Sequence, residues 1–225
     1  LVAPATEKAK EEGMSRIPVW LPDGRWTDLF TGDEYQGGCH LTMVRWLDSI
    51  PVLLKEGGFF VLDNRETTND WTNPEKLKVI VSRGTGSYTL HEDLDGERID
   101  TLLESRAVND NQQKLTLTCQ TKASLPVRSF LLEFCNITTG EVQAVADGKE
   151  ISVLTDDNGR LTVCLGQVLP GTVYEILVTF EDEAQKKREE AVRQTITRLQ
   201  TGNNAKNDLY DRLRTADRET YRTLT

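Results

Sequence analysis

Short apolar runs separated by turn residues fill the first 180 residues and constrain the fold more than any other feature of this sequence. In residues 115–119 (LTLTC) apolar and polar side chains alternate, as expected of a strand with one buried face. The PDG triplet at 22–24 and the Asn158-Gly159 step interrupt the runs, because Pro fixes φ, Gly accepts a positive φ and Asn-Gly suits a hairpin turn. We predict that residues 26–30 form one of the short strands. Turns about every 8–12 residues predict a sandwich or barrel.

A polar stretch at 63–75, in which Trp71 is the sole large apolar residue, divides the strand-rich part in two. We interpret this stretch as a linker between two folded units. The sequence therefore predicts a mainly β fold with two consecutive antiparallel β-sandwich domains, at 1–66 and 67–180.

After residue 180 the spacing of apolar residues changes to three and four, which is typical of helices. This spacing predicts a C-terminal α-helical hairpin or tail at 181–225, with Gly202 near the turn. The second helix has one narrow apolar stripe, which consists of Ala205, Leu209, Leu213, Ala216, Thr220 and Leu224. Such a helix needs a surface to pack against. This surface is either the body of the protein or of its parent, or the same helix in another subunit of a homo-oligomer.

The chain carries 27 Lys and Arg residues against 36 Asp and Glu residues, a net charge of −9. A negative net charge opposes binding to nucleic acid and to anionic membranes. The longest stretch without charged side chains runs only from 161 to 174, whereas a membrane span needs about 20 apolar residues. We expect no nucleic-acid partner and no membrane insertion.

The four cysteines, Cys39, Cys119, Cys135 and Cys164, form no CxxC pair. We predict reduced, buried thiols in strands and a cytoplasmic location. Cys39 precedes His40, but two histidines are too few for most zinc sites. Neighbouring strand residues also point to opposite faces, which disfavours a nucleophile–base pair there. The chain opens without a basic leader and without Met, so we expect it to begin inside a longer protein.

The sequence contains none of the motifs GxSxG, GxxxxGK[ST], GxGxxG or HExxH. We therefore predict no catalytic, cofactor-binding or metal-binding residues. Residues 91–97 (HEDLDGE) gather four carboxylates around Gly96, either as an acidic turn between strands or as a calcium site with oxygen ligands. The tryptophans, at positions 20, 26, 46 and 71, fill a core or an interface, or stack against sugars.

Four ordered motifs resemble glycoside hydrolase family 31, which contains α-glucosidases and α-xylosidases. Residues 19–38 (VWLPDGRWTDLFTGDEYQGG) are similar to the family segment V-x-L-P-x-G-x-W-Y-D-x-x-T-G-x-x-Y-x-G-G. Residues 1–6 resemble the L-V-A-P stretch before it, and residues 47–58 resemble L-x-x-I-P-V-F-V-R-x-G. Residues 86–93 are similar to the distal-domain segment G-S-F-T-L-Y-E-D-D-G. Among the departures, Thr27 stands where Tyr is usual.

The resemblance implies a proximal and a distal β-sandwich that follow a catalytic (β/α)₈ barrel. The family's nucleophile signature, W-x-D-M-N-E, does not occur, so no catalytic residue can be assigned to this chain. We expect the chain alone not to be an enzyme. We interpret it as a non-catalytic C-terminal portion that buttresses the barrel of an enzyme hydrolysing α-linked glucosides with retention. The alternative is a stand-alone carbohydrate-binding or protein-interaction module.

Overall fold

Sixteen β-strands and no helix make up the part of the chain that the computed structural model describes, which is residues 1–7, 14–46, 48–65, 73–94, 96–119, 128–156 and 160–180. In chain order the strands are β1 (Met14–Leu21), β2 (Arg25–Asp28), β3 (Glu34–Gln36), β4 (Cys39–Trp46), β5 (Leu53–Lys55), β6 (Phe59–Asp63), β7 (Lys76–Val81), β8 (Gly86–Leu94), β9 (Glu97–Asn109), β10 (Gln112–Cys119), β11 (Arg128–Phe134), β12 (Glu141–Ala146), β13 (Lys149–Glu150), β14 (Leu154–Asp156), β15 (Thr162–Val168) and β16 (Val173–Thr179). The mainly β prediction is confirmed. Within these ranges there is no helix that could cross a membrane. The predicted helical tail at 181–225 lies outside the described residues.

Strands β1 to β5 form two sheets that we call the small module. β1 and β4 pair antiparallel along their whole length, and β2 lies between β3 and β5. The chain start adds an antiparallel bridge at Val2↔Val52. Because alternate residues of a strand face the same side, the inward positions build one core. This core consists of Ala3, Ile17, Val19, Leu21, Trp26, Met43 and Leu53.

Strands β6 to β16 form two sheets that share one core, and we call this part the sandwich. The six-stranded sheet has the order β13-β12-β16-β10-β9-β8, and the five-stranded sheet has the order β14-β15-β11-β7-β6. Every second residue of β10 is buried, so the predicted alternation in 115–119 is confirmed. Both sheets supply the most deeply buried side chains of this core, among them Val79, Leu103, Leu115, Leu117, Leu132, Val163, Ile176 and Val178.

The sequence correctly predicted the strand pair around the Asn158-Gly159 step. β14 and β15 pair antiparallel, from Leu154↔Cys164 to Asp156↔Thr162. The step itself lies outside the described residues, so its turn type stays a prediction.

One strand pair of the sandwich is parallel, which corrects the expectation of purely antiparallel sheets. β7 and β11 run in the same direction, from Ser129↔Lys76 to Phe134↔Val81. After β7 the chain builds β8, β9 and β10 in the other sheet and then returns to place β11 beside β7. Apolar alternation predicts which face of a strand is buried, but it carries no information about the direction of the neighbouring strand.

Strand pairing changes at the turn before β6, several residues ahead of the boundary expected at residue 66. β6 pairs antiparallel with β7 along its whole length and so belongs to the sandwich. In that turn Gly57 has a φ of 70°, and its N–H donates to the Arg83 carbonyl at 2.9 Å. A Cβ at Gly57 would lie 2.3 Å from the Thr85 carbonyl oxygen. Only glycine therefore allows the two backbones to approach this closely.

Two polar side chains of the sandwich reach the small module. Asn136 Nδ2 donates to Glu34 Oε1 at 3.0 Å. Arg160 Nη2 donates to the carbonyl oxygen of Leu29 at 2.5 Å. These bonds join residues more than a hundred positions apart, so they fix the small module on the sandwich in addition to the turn before β6.

Arg160 also belongs to a charge cluster on the five-stranded sheet. Its Nη1 donates to Glu133 Oε1 at 2.6 Å, and Lys78 pairs with the other oxygen of the same carboxylate. Burial by itself would raise the pKa of Glu133, but the hydrogen bonds from Lys78 and Arg160 outweigh it and hold that pKa below its usual range.

Replacement of a core leucine should destabilise the protein far more than replacement of an exposed one. Leu103 is fully buried, whereas Leu154 is 78% exposed. We expect Leu103→Ala to lower the free energy of unfolding by about 2–5 kcal/mol, because it loses transfer free energy and leaves a cavity. Leu154→Ala should change it by less than about 0.5 kcal/mol. Urea denaturation measures both values, and equal effects would contradict this assignment of the core.

The Glu133 carboxylate should make stability depend on pH under acidic conditions. Its pKa is lowered in the folded state, and a free glutamate has a pKa of about 4.3. A group whose pKa falls on folding stabilises the protein above its unfolded pKa, and this contribution is lost as pH falls through the folded value. The stability difference between the wild type and Glu133→Gln should therefore be largest above about pH 5 and shrink toward about pH 3. Denaturant unfolding over this range measures it, and a constant difference is the contrary result.

Candidate functional site

The outer face of the β1–β4 pair carries exposed apolar side chains. Pro18, Trp20, His40 and Val44 lie on the side opposite the core, because side chains alternate along both strands. Trp20 is 50% exposed and Val44 is 45% exposed. The Trp20 ring leans against the His40 ring, with centroids 4.6 Å apart and planes tilted by 50°. We call these four residues the Trp20 face.

A groove borders the Trp20 face. It has a volume of about 360 Å³ and lies between residues 1–7 and the 15–20 segment of β1. The amino group of Leu1 donates to the Leu53 carbonyl at 2.8 Å, which holds the chain start against β5. Leu1 and Val2 are nevertheless exposed. The groove and the Trp20 face are adjacent, because Pro18 and Trp20 also line the groove.

A fixed turn at the end of β2 displays a phenylalanine. The Asp28 carboxylate is fully buried, and one of its oxygens accepts the N–H groups of Phe30 at 2.9 Å and of Thr31 at 3.2 Å. Its other oxygen pairs with Arg45. A short acidic side chain that caps the next residues in this way sets the shape of the turn. The Phe30 side chain at the tip is 64% exposed.

Two residues in the described part have strongly raised pKa values. Burial, followed by the charge of Asp33, raises the pKa of Tyr35 to about 12. Burial raises the pKa of the Cys135 thiol to about 11. Both groups therefore stay protonated at neutral pH. A cysteine nucleophile acts as a thiolate, so Cys135 is a structural thiol and is not poised for catalysis.

The tryptophans divide between the core and the surface. Trp26 is buried, and its Nε1 donates to the Pro22 carbonyl at 2.8 Å, which is the core role foreseen for a tryptophan in a strand. Trp20 lies on the outer face, where its ring is available to an interface or to a sugar. The side chain of Trp46 and all of Trp71 lie outside the described residues.

The structure keeps Cys39 and His40 apart, as predicted for neighbours in a strand. The Cys39 thiol donates to the Gln36 carbonyl at 3.2 Å, whereas His40 stacks on Trp20. The two side chains therefore do not form a shared site.

The acidic cluster at 91–97 forms the hairpin end between β8 and β9. Arg128 binds both oxygens of Glu92, at 2.5 and 2.7 Å, and both side chains are more than nine-tenths buried. Asp93 accepts the N–H of Gly96 at 3.0 Å. Within the described ranges no group of three or more His, Cys, Asp or Glu residues is arranged to hold a metal ion. Glu92 thus serves a structural ion pair. Asp95 and the side chain of Glu97 lie outside the described residues, so the choice between an acidic turn and a calcium site stays a prediction.

Sequence reasoning missed the residues that shape the turn after β2. It placed Phe30 at the end of a strand, although Asp28 followed by Thr31 and Gly32 is a local signal for a side-chain-capped turn. Arg160 had no comparable signal, because its contact with Leu29 spans 131 positions of the chain.

Comparisons with known proteins point to one family. Residues 1–59 match the family model described as "Glycosyl hydrolase family 31 C-terminal domain". Among curated proteins, the chain is similar to alpha-glucosidase 2 of Bacillus thermoamyloliquefaciens, with 22% identity over 155 residues that cover 65% of this chain and 19% of that protein. The chain thus spans about a fifth of the length of this relative.

Solved structures of other proteins share the fold. The GH31 dextranase of Flavobacterium johnsoniae matches with a TM-score of 0.58 and 18% identity, over 79% of this chain and 25% of that one. The cycloalternan-forming enzyme of Listeria monocytogenes matches with a TM-score of 0.59 and 18% identity, over 79% of this chain and 18% of that one. Residues 1–59 are therefore similar to the C-terminal domain of glycosyl hydrolase family 31, and the chain shares its fold with structures from that family over 79% of its length.

Proposed function

We propose that this chain is the non-catalytic C-terminal portion of a family 31 α-glycosidase and that it supports the catalytic barrel of that enzyme. The parent enzyme hydrolyses α-linked glucosides or related sugars with retention. A retaining mechanism uses two carboxylates about 5–5.5 Å apart, and the barrel supplies them. Similarity to an α-glucosidase supports this substrate class.

The Trp20 face carries the proposal. It lies within the segment that matches the family model. This outer face also carries the exposed polar side chains of Arg16, His40 and Thr42, among which Trp20 is the large aromatic group. Large aromatic side chains bury about 150–250 Å² each, so covering the exposed half of Trp20 removes on the order of 100 Å² from water. At about 25 cal/mol per Å², this contributes roughly 2–3 kcal/mol to docking.

The family model that matches residues 1–59 describes a C-terminal domain of glycosyl hydrolases. This match supports the catalytic part of such an enzyme as the partner that covers the Trp20 face.

A carbohydrate-binding module is the second candidate. The half-exposed Trp20 favours it, because the groove beside this ring is also lined by Arg16 and Glu7, which offer hydrogen-bonding groups. Aromatic rings with nearby polar groups are suited to sugar recognition. The two candidates differ in what Trp20 contacts, so they can be distinguished by experiment.

Two further points belong to the proposal. A cytoplasmic location is supported by the free thiols of Cys39, Cys135 and Cys164, since reduced thiols persist in that compartment. Self-association through the predicted tail helix at 181–225 stays a prediction, for which a concentration-dependent mass in solution is the test.

The chain alone should not cleave p-nitrophenyl α-glucoside, because the catalytic carboxylates belong to the barrel. A polypeptide that carries the barrel joined to residues 1–225 should cleave it. Release of p-nitrophenol measures both. Sustained turnover by the purified chain, abolished by replacing one of its own carboxylates, would refute the proposal.

Trp20 should be protected when the barrel is present. Hydroxyl-radical footprinting should oxidise Trp20 several-fold more slowly in the joined polypeptide than in the chain alone, because the barrel excludes solvent from the ring. Tyr88 on β8 is the matched control, since it is also an exposed aromatic residue, at 41%. Equal oxidation of Trp20 in both proteins argues against docking through this face.

A saturable fluorescence change with isomaltotriose, lost in Trp20→Ala, supports the carbohydrate-binding candidate instead.

A further inference from the structure

In the described residues, four strands form the edges of the two sandwich sheets, and one of them lacks the usual protection against pairing with another chain. β13 and β14 have only two and three residues. β8 carries the exposed polar side chains of His91 and Asp93. Short length and charged side chains are common means by which edge strands avoid such pairing. β6 differs, because residues 59–62 are all apolar and only Asp63 at its end is charged.

The backbone bonds around β6 show which of its groups point to the free edge. The Gly58 carbonyl accepts the Ser82 N–H at 3.0 Å, and the Asn64 N–H donates to the Lys76 carbonyl at 2.9 Å. In an antiparallel pair, alternate residues direct both of their backbone groups toward the same neighbour. The even-numbered residues of this segment therefore bond to β7, and the odd-numbered residues direct N–H and C=O toward the free edge. These odd-numbered residues are Phe59, Val61 and Asp63.

The side chains along this edge are apolar on both faces of the sheet. Phe60 and Leu62 lie on the outer face and are 40% and 36% exposed. Phe59 and Val61 pack against the core of the sandwich but are only partly buried. A strand that paired with β6 would cover side chains on both faces and bond the free backbone groups. The edge thus offers an extended strand both main-chain hydrogen bonds and apolar contacts.

The β6 edge is self-complementary. When two copies pair antiparallel about a two-fold axis at Val61, Phe59 lies opposite the other copy's Asp63. The outward-pointing groups of both copies then bond one another, which makes about six backbone hydrogen bonds. In the same register Phe60 lies opposite the other copy's Leu62, in a non-hydrogen-bonded pair, where opposite side chains are closest. The two Asp63 carboxylates lie at opposite ends of the pair, so no like charges meet.

We propose that β6 is a homodimerisation edge, at which two copies of this chain pair their β6 strands antiparallel about Val61 and join their five-stranded sheets into one. A second copy is the occupant to which we commit, because β6 itself supplies the hydrogen-bonding phase, the contact between Phe60 and Leu62 and the separation of Asp63. Two-fold dimers are the commonest homo-oligomers. This inference does not depend on the proposed function, and it differs from self-association through the predicted tail helix.

Val61→Pro tests the hydrogen bonds at the axis in the chain of residues 1–225. Proline is tolerated at an edge position whose N–H faces solvent, so the fold should be kept, as circular dichroism would show. In sedimentation equilibrium the wild type should reach twice the chain mass as its concentration rises. Val61→Pro should weaken this dimer at least about tenfold. The matched control is Val61→Thr, which keeps the N–H and the β-branched shape and should still dimerise.

Leu62→Lys is a second variant that does not alter the backbone. Leu62 is exposed, so the chain should fold, but a lysine at the edge opposes pairing with another strand. We expect the dimer to weaken at least about tenfold, as in Val61→Pro. The matched control is Leu154→Lys, which makes the same change at a 78% exposed leucine on β14, at the opposite edge of the same sheet. It should leave the dimer unchanged.

Disulfide trapping tests the register. Chains with Phe60→Cys are mixed with chains with Leu62→Cys and oxidised, in a background in which Cys39 and Cys164 are replaced by Ser. Directly opposite residues lie within the Cα–Cα limit of about 7 Å for a disulfide, whereas two copies of the same position are diagonal neighbours about 7–8 Å apart. The mixture should form a cross-linked dimer, and neither variant alone should do so efficiently.

Each outcome decides the proposal. Loss of the dimer in Val61→Pro and Leu62→Lys, with retention in both controls, supports pairing through β6. A chain that stays monomeric at every concentration overturns it. A dimer that survives Val61→Pro and Leu62→Lys also overturns it, and if Leu213→Asp abolishes that dimer, the predicted tail helix forms the contact instead.

Discussion

The small size of the core in the small module is the constraint that ties this module to the sandwich. In the described residues its apolar cluster contains seven buried side chains, whereas the cluster of the sandwich contains twenty. Small domains bury a small fraction of their surface, and this burial must offset the entropy lost on folding. The module therefore depends on contacts outside its own core. The backbone N–H of Gly57 donates to the Arg83 carbonyl. The side chains of Arg160 and Asn136 in the sandwich donate hydrogen bonds to residues of the small module.

Buried charges in this protein fix geometry more than they add stability. Asp28 pairs with Arg45, and Glu92 pairs with Arg128, in places where solvent is excluded. Desolvation of two charges offsets much of their attraction, so such pairs add little net stability, although removal of one partner is costly. Asp28 uses its position to cap the turn that displays Phe30. The result is a turn of fixed shape that presents the Phe30 side chain at the surface.

The proposed role as a supporting domain agrees with the way ionisable groups are used in the described residues. The ionisable groups with clear partners serve hydrogen bonds and ion pairs within the fold, as Glu133 does with Lys78 and Arg160. The fold is shared with family 31 structures over 79% of the chain at 18% identity. A β-sandwich tolerates this much substitution because burial alternates along each strand and different apolar residues can fill the inward positions.

The sequence by itself determined the features that depend on neighbouring residues. Alternation at 115–119 predicted β10, the Asn158-Gly159 step predicted the pairing of β14 with β15, and the ordered motifs of residues 1–97 indicated the family. Only the tertiary structure decided that β7 and β11 are parallel, that β6 joins the sandwich, and that Arg160 reaches Leu29. Periodicity and turn chemistry act over a few residues, whereas strand order, strand direction and contacts between distant side chains arise from how the whole chain buries its apolar surface.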